Sequence, residues 1–411
     1  MTTYATQGWD IIGAIDQKFL NAELDTLYNR GGLPSHIEAS ISKFITGTLS
    51  ADIERPVANL GGVTQGMAKL TIRISKGTLT VGKDEETDLS GVYFTVSTAV
   101  NQVEIHTDGQ KTVKIYLDFL SEDMAITLKV GGALEKDKDA QDLLNLLITR
   151  ALRKLEKGTY FLGTVDRGAL DIPDFLFPRL VAFTLVPHPT VPEMNELLVM
   201  VQTTGPAGQK NYNDTLIPDG RGGVLLLSNE RLLTNVVGDG LKDAIPTGSF
   251  AYSPNDFHLT GKAKHGDEDI TAAHASVEGN AIHVKLNVAA MGRAGGGVNV
   301  YVSSDTKIVV TYDAASATFL VTQEMPSPKT SYTLEWWVYL TAIVTGGLLG
   351  LIIAAIVGDV VRIVAVGISE KEIKKAFEGA LKPIKWPAGE YVTPTAVNFP
   401  DPLQMVVVSK T

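Results

Sequence analysis

Apolar and polar positions change their spacing several times along this chain, and the changes mark its elements. "WDIIGAI" (9–15) is apolar except at Asp10 and predicts a short strand. A helix follows from Asp16, whose carboxylate can accept the free amide hydrogens of a first turn. Leu20, Leu24 and Leu27 fall at i, i+4 and i+7 on one stripe, and Gly31-Gly32 ends it. The next segments alternate or run with β-branched residues: "ISKFITGTLSADIE", "MAKLTIRISKGTLTVG", "GVYFTVSTAVNQVEIH", "TVKIYLDFL" and "MAITLKVGG". The charged "KDEETD" (83–88) predicts a solvated hairpin tip. Helical spacing returns in "EKDKDAQDLLNLLITRALRKLEKG" (135–158). It sets Leu143, Leu144, Leu147, Ile148, Ala151, Leu152 and Leu155 on one face, with acids at the start, bases at the end and Gly158 as a stop.

The pattern then restarts. "GGVLLLSNERLLTNVVGDGLKDAI" (222–245) is again a strand, a capping residue and a helix, and further strand-like segments follow it. "DQKFLNAEL" (16–24) set beside "NERLLTNVV" (229–237) gives six chemically similar pairs at an offset of 213 residues. Read as two copies of one plan, the chain should place a counterpart of the helix starting near Asp139 at Asp139 plus 213, which is Ile352.

That position falls inside "WWVYLTAIVTGGLLGLIIAAIVG" (336–358), 23 residues without a charge. The run is long enough to cross a bilayer. Three readings follow: a helix apolar all round because a sheet buries it all round, a segment that inserts into membranes conditionally, or a permanent anchor. Glu335 and Asp359 flank it, and its glycines lower helix propensity. The offset and the soluble-looking body before it favour the buried helix over a permanent span. A groove between such a helix and its sheet could hold an acyl chain. Gly346, Gly347 and Gly350 would leave room, and Ile343, Leu348, Leu351, Ile352 and Ile356 would line it. Close packing without a cavity is the alternative.

Composition narrows the chemistry. The 411 residues carry a net charge of −10, which argues against nucleic acid. There is no cysteine, so disulfides, thiolate metal sites and cysteine nucleophiles are excluded. The opening residues lack a basic region before an apolar run, so no Sec signal is expected and synthesis is expected in the cytoplasm, any release using another route. "GGVTQGMAK" (61–69) has Met67 where a phosphate loop needs Lys, and "GRAGGGVNV" (292–300) reads as a turn. His258, His265, His274 and His283, with Asp267, Glu268 and Asp269 among them, could approach zinc-ligand geometry but read more simply as polar strand faces. The carboxylates Asp166, Asp171, Asp239 and Asp243 read as surface charges rather than acid/base pairs. No catalytic or metal residues, no cofactor and no enzymatic activity are expected.

Several stretches, in order along nearly the whole chain, resemble one family. They are "GWDIIGAI", "VANLGGVTQGMAKLTIRISKGTLTV" (57–81), "YFLGTVDRGALDIPDFLFPRLVAF" (160–183), "LLLSNERLLTNVVGDGL" (225–241), the apolar run and "WPAGEYVTPTAVNFPDPLQMVV" (386–407). The family is that of the forty-seven-kilodalton accessory proteins of clostridial neurotoxin gene clusters. The resemblance implies an α+β fold of two tubular lipid-binding-type modules, each a long helix wrapped in a highly curved antiparallel sheet. The modules are expected at 1–175 and 176–411. It further implies non-enzymatic binding of lipid or another apolar ligand, with protein partners from the same gene cluster. A chaperone-like partner without a ligand is the alternative.

Overall fold

The computed structural model describes residues 6–334, 354, 357–358, 370–388, 393–398 and 403–408, apart from gaps at 43–45, 62–65, 83–84, 108–109, 133, 169–171, 219–220, 255, 267, 280, 292–297, 314 and 325–327. The described strands form three antiparallel sheets.

The first strand is Ile11–Asp16, and Asp16 caps the helix Gln17–Asn29 by accepting the Phe19 amide at 2.6 Å. Leu20 and Leu24 are buried and Leu27 packs beside them, as their spacing predicts. The chain then builds a ten-stranded sheet. Its path runs His36–Ile41, Gly47–Ile53, Met67–Val81, Tyr93–Thr107, Gln110–Leu117, Phe161–Asp166 and Ile384–Lys385. An eight-stranded sheet spans Phe250–Ser253 to Lys329–Leu334 in the second half. "KDEETD" supplies the short returning strand Glu85–Asp88 of a hairpin.

The expected tubular modules are not what the described residues form. Their longest helix, Lys138–Arg153, has 16 residues and lies against one face of an open sheet rather than inside a closed one. The reason is its amphipathic pattern. The seven apolar positions read from the sequence face the core, but Leu146 is 54% exposed and the acids and bases lie on the solvent side. A helix with one apolar stripe is satisfied by contact on one side. It also ends at Arg153, before Gly158, because the amide of Lys154 turns back to the Ala151 and Leu152 carbonyls.

The third sheet has six strands in the order Leu180–Val186, Glu196–Gln202, Ile11–Asp16, Gly223–Leu227, Leu403–Val408, Thr393–Asn398. This order reads the same from either edge: a hairpin, a lone strand that feeds a helix, its counterpart, and a second hairpin. The two middle strands pair Ile11 with Leu227, Gly13 with Leu225 and Ile15 with Gly223. A local two-fold therefore passes between Gly13 and Leu225. Both faces of the sheet are covered. Ile11, Ile15, Val199, Val201, Leu225 and Leu227 join the main core. Ile12, Ala14, Leu198, Met200, Val224 and Leu226 form a second core with Trp9, Tyr212, Leu216 and Ile217. That two-sided burial is why these strands read as continuous apolar runs instead of alternating.

Candidate functional site

The eight positions expected to line an apolar groove, Ile343, Gly346, Gly347, Leu348, Gly350, Leu351, Ile352 and Ile356, all lie outside the described residues. Of the run 336–358 only Ala354, Val357 and Gly358 are described. They are helical, and Val357 is half-buried against the main core. Among the described residues no helix is long and apolar enough to cross a membrane.

The two-fold seam shows how the described core closes. After the helix Glu370–Leu381, the strand Ile384–Lys385 pairs with Phe161–Asp166, Thr164 opposite Lys385. Trp386 is then buried over two glycines. A Cβ on Gly163 would stand 3.2 Å from its ring, and one on Gly13 would stand 2.8 Å from Ile384 Cδ1. Side chains at 13 and 163 would crowd the Ile384 and Trp386 side chains seated there. The space left among Gly13, Ala14, Val224, Leu225, Leu381, Ile384 and Trp386 is about 10 Å³. That is the size of one water, against several hundred Å³ for a small-molecule pocket.

Buried charge surrounds this seam, and sequence reasoning missed it. The Asp10 carboxylate is buried and accepts from the Thr203 amide (2.8 Å), the Thr203 hydroxyl (2.7 Å), the Thr204 amide (3.2 Å) and Arg231 Nε (2.7 Å). Four donors to one carboxylate repay its desolvation. Glu196 is 1% exposed and accepts the amides of Leu216 (2.7 Å) and Ile217 (2.8 Å), which holds these two residues in the second core. Burial pushes its pKa up to about 7, the two amides pull it down, and Asp16 opposite it on the neighbouring strand adds to the rise. Asp16 itself is raised by burial. The available signal was an acid at the head of an otherwise apolar strand, "ELLVMVQ".

A larger concavity is lined by polar residues. It measures about 660 Å³ and is lined by His36, Ser50, Asp52, Lys76, Gly77, Thr78, Glu86, Asp88 and Ser90. It forms where the long strand Met67–Val81 leaves one partner for another. Met67–Arg73 pairs with Tyr93–Ala99, Thr78–Val81 pairs with Glu85–Asp88, and a register shift falls between Asp52 and Ile53. His36 Nδ1 lies 2.7 Å from Asp52 Oδ1, and Asp88 accepts from the Ser90 hydroxyl and amide, which holds its pKa below the usual range. These side chains are solvent-exposed, so water competes for each of them.

The histidines are dispersed. His258 and His274 stand opposite each other with Asp256 at 3.0 and 3.6 Å, His283 lies 3.1 Å from Asp305, and His265 faces the Ala244 carbonyl. The described residues contain no group of three or more ligands able to hold a metal ion. Asp166 pairs with Lys385 across the seam, and Asp239 with Lys242 on one helix.

No family model matches the chain, and no curated protein matches it. Solved structures do. P47 from Clostridium botulinum A2 matches with a TM-score of 0.64 at 15% identity, covering 98% of this chain and 98% of that one. The chain has the fold of P47. P47 of Clostridium botulinum E1 gives 0.65 at 12% identity, over 98% of this chain and 99% of that one. The resemblance read from the ordered sequence stretches thus has its counterpart in three dimensions, although few residues are shared. A lipopolysaccharide binding protein also aligns, at a TM-score of only 0.33 and 10% identity, over 97% of this chain and 98% of that one. That value is too low to carry an argument.

Proposed function

We propose that this chain is a non-enzymatic accessory protein that binds a lipid or another apolar ligand through the run 336–358. The observation that supports this reading is a contrast within the molecule. The described core closes to about 10 Å³ at its seam, whereas 336–358 is 23 uncharged residues with glycines at 346, 347 and 350. An acyl chain packed there gains about 0.8 kcal/mol per buried CH₂. The test is native mass spectrometry and solvent extraction of the purified full-length chain. Co-purifying acyl chains and a thermal shift on adding lipid are expected; empty protein with no shift overturns the reading. Leu351→Lys separates two modes of use. A segment packed in the protein core would unfold around the unpaired charge, while a membrane-inserting segment would lose liposome flotation and keep a folded body.

A second reading, a ligand-free chaperone-like partner in a toxin or secretion complex, is supported by the likeness to P47 over the whole length. Pull-down of the full chain against the products of neighbouring genes tests it. In either case we read the chain as two copies of one plan. The symmetric order of the central sheet supports this, with each copy running from a middle strand to an outer hairpin, 11–202 and 223–408. That division moves the boundary past the hairpin that a cut at 175 assigns to the second module.

A further inference from the structure

The two edges of the central sheet differ, and the difference concerns what can bind there. The edge strand Thr393–Asn398 contains Pro394, and its register shifts between Pro394 and Ala396. A proline and a bulge are two of the devices that stop an edge from accepting another strand. The opposite edge, Leu180–Val186, has neither. It reads LVAFTLV, rich in the β-branched and aromatic residues that favour strand pairing, with no ionisable side chain. It pairs with Glu196–Gln202 in unbroken register, and no described residue pairs with its other side. Pro178 and Pro187 bracket it, so a pairing partner gains only this short window.

We infer that this edge pairs with the same strand of a second copy of the chain, antiparallel about a two-fold axis through Phe183. In that register Leu180 faces the partner's Val186, Val181 its Leu185, and Ala182 its Thr184. Every pair combines apolar or small side chains, and no charge meets a like charge. The parity also matches: Val181, which packs on the main core, meets Leu185 of the same face, and Ala182 of the second core meets Thr184 of that face. The two central sheets become continuous, an isologous contact that closes at two copies.

Sedimentation velocity of the full chain from 1 to 100 µM tests this, with a concentration-dependent doubling of mass expected. Leu180 is 45% exposed, so Leu180→Lys leaves the monomer folded and puts the natural edge-blocking residue in the contact. It should weaken association at least tenfold with the melting temperature unchanged. In this cysteine-free chain Phe183→Cys should give a reducible covalent dimer on mild oxidation, because the residue lies on the axis. A wild-type mass that stays at one chain at 100 µM overturns the proposal. So does a doubled mass that Leu180→Lys leaves unaffected.

Discussion

The two strand–helix units at the centre occupy equivalent places but are built differently. The cap of the first is Asp16 and that of the second is Ser228, 212 residues later, rather than the pair at 213 that sequence similarity suggests. Beyond the caps, Gln17–Asn29 is a regular α-helix, whereas the second unit runs through a π-helical turn, Leu232–Val237, before Gly238–Ala244. A π turn closes its hydrogen bonds one residue later than an α turn and so absorbs one inserted residue. At the offset of 212 that relates strands and caps, Phe19 corresponds to Arg231, which precedes the π turn. The same offset relates two contacts. Phe19 lies against Gly222, where a Cβ would stand 2.9 Å from its ring. The equivalent positions hold Arg231 and Asp10, an ion pair at 2.7 Å. One architecture therefore accepts either an apolar plug or a hydrogen-bonded charge pair, provided that each is complete.

The largest test of this comparison is to break the charged version. Asp10→Ala leaves the partly buried Arg231 without this partner and three donors from Thr203 and Thr204 unmet. A loss of about 3–5 kcal/mol in urea unfolding is expected. Phe19→Leu, at the equivalent apolar contact, should cost at most about 1.5 kcal/mol.

The seam on the two-fold comes next. Trp386→Ala removes a ring seated on Gly13 and Gly163 and should cost about 3–4 kcal/mol. Proteolysis should then cut earliest on either side of Ile384–Lys385, since that short strand fastens the C-terminal segment to the N-terminal sheet.

The third test is pH. In the folded protein Glu196 holds its proton up to about pH 7, above its ordinary value of 4.5. Between those values the unfolded chain has released a proton that the folded chain keeps. Stability is therefore full below pH 4.5 and falls as pH rises towards 7, by up to about 3 kcal/mol. Asp16, raised in the same direction, adds to the lower part of that slope. Glu196→Gln should flatten the fall at the cost of a lower baseline, because its NH₂ meets a backbone donor. A slope unchanged in the variant would assign the effect elsewhere.

The smallest effects lie at the caps. Asp16→Ala should cost about 1 kcal/mol. Ser228→Ala should cost less, since Ser228 Oγ stands 3.3 Å from the Arg231 amide against 2.6 Å for Asp16 and Phe19. Equal losses from both caps would mean that this difference in geometry carries no energy.

Local pattern was enough for much of the fold. The strand Ile11–Asp16, its capped helix, and the amphipathic helix 138–153 with its buried face follow from spacing and turn chemistry. Those rules act within a few residues and hold in most contexts. The order of family-like stretches likewise anticipated a fold that P47 shares. Tertiary structure decided the rest. That "WDIIGAI" and "GVLLL" lie side by side, that one edge of their sheet is blunted by Pro394 while the other has no partner among the described residues, and that Trp386 finds Gly13 some 373 positions earlier all depend on pairings between distant segments. Each pairing is chosen for the whole sheet, because one-residue slips would turn every side chain to the wrong face. The wrapped-helix expectation failed for the same reason. An amphipathic stripe fixes which side of a helix is buried, but only the packed sheet determines how far around the helix it reaches.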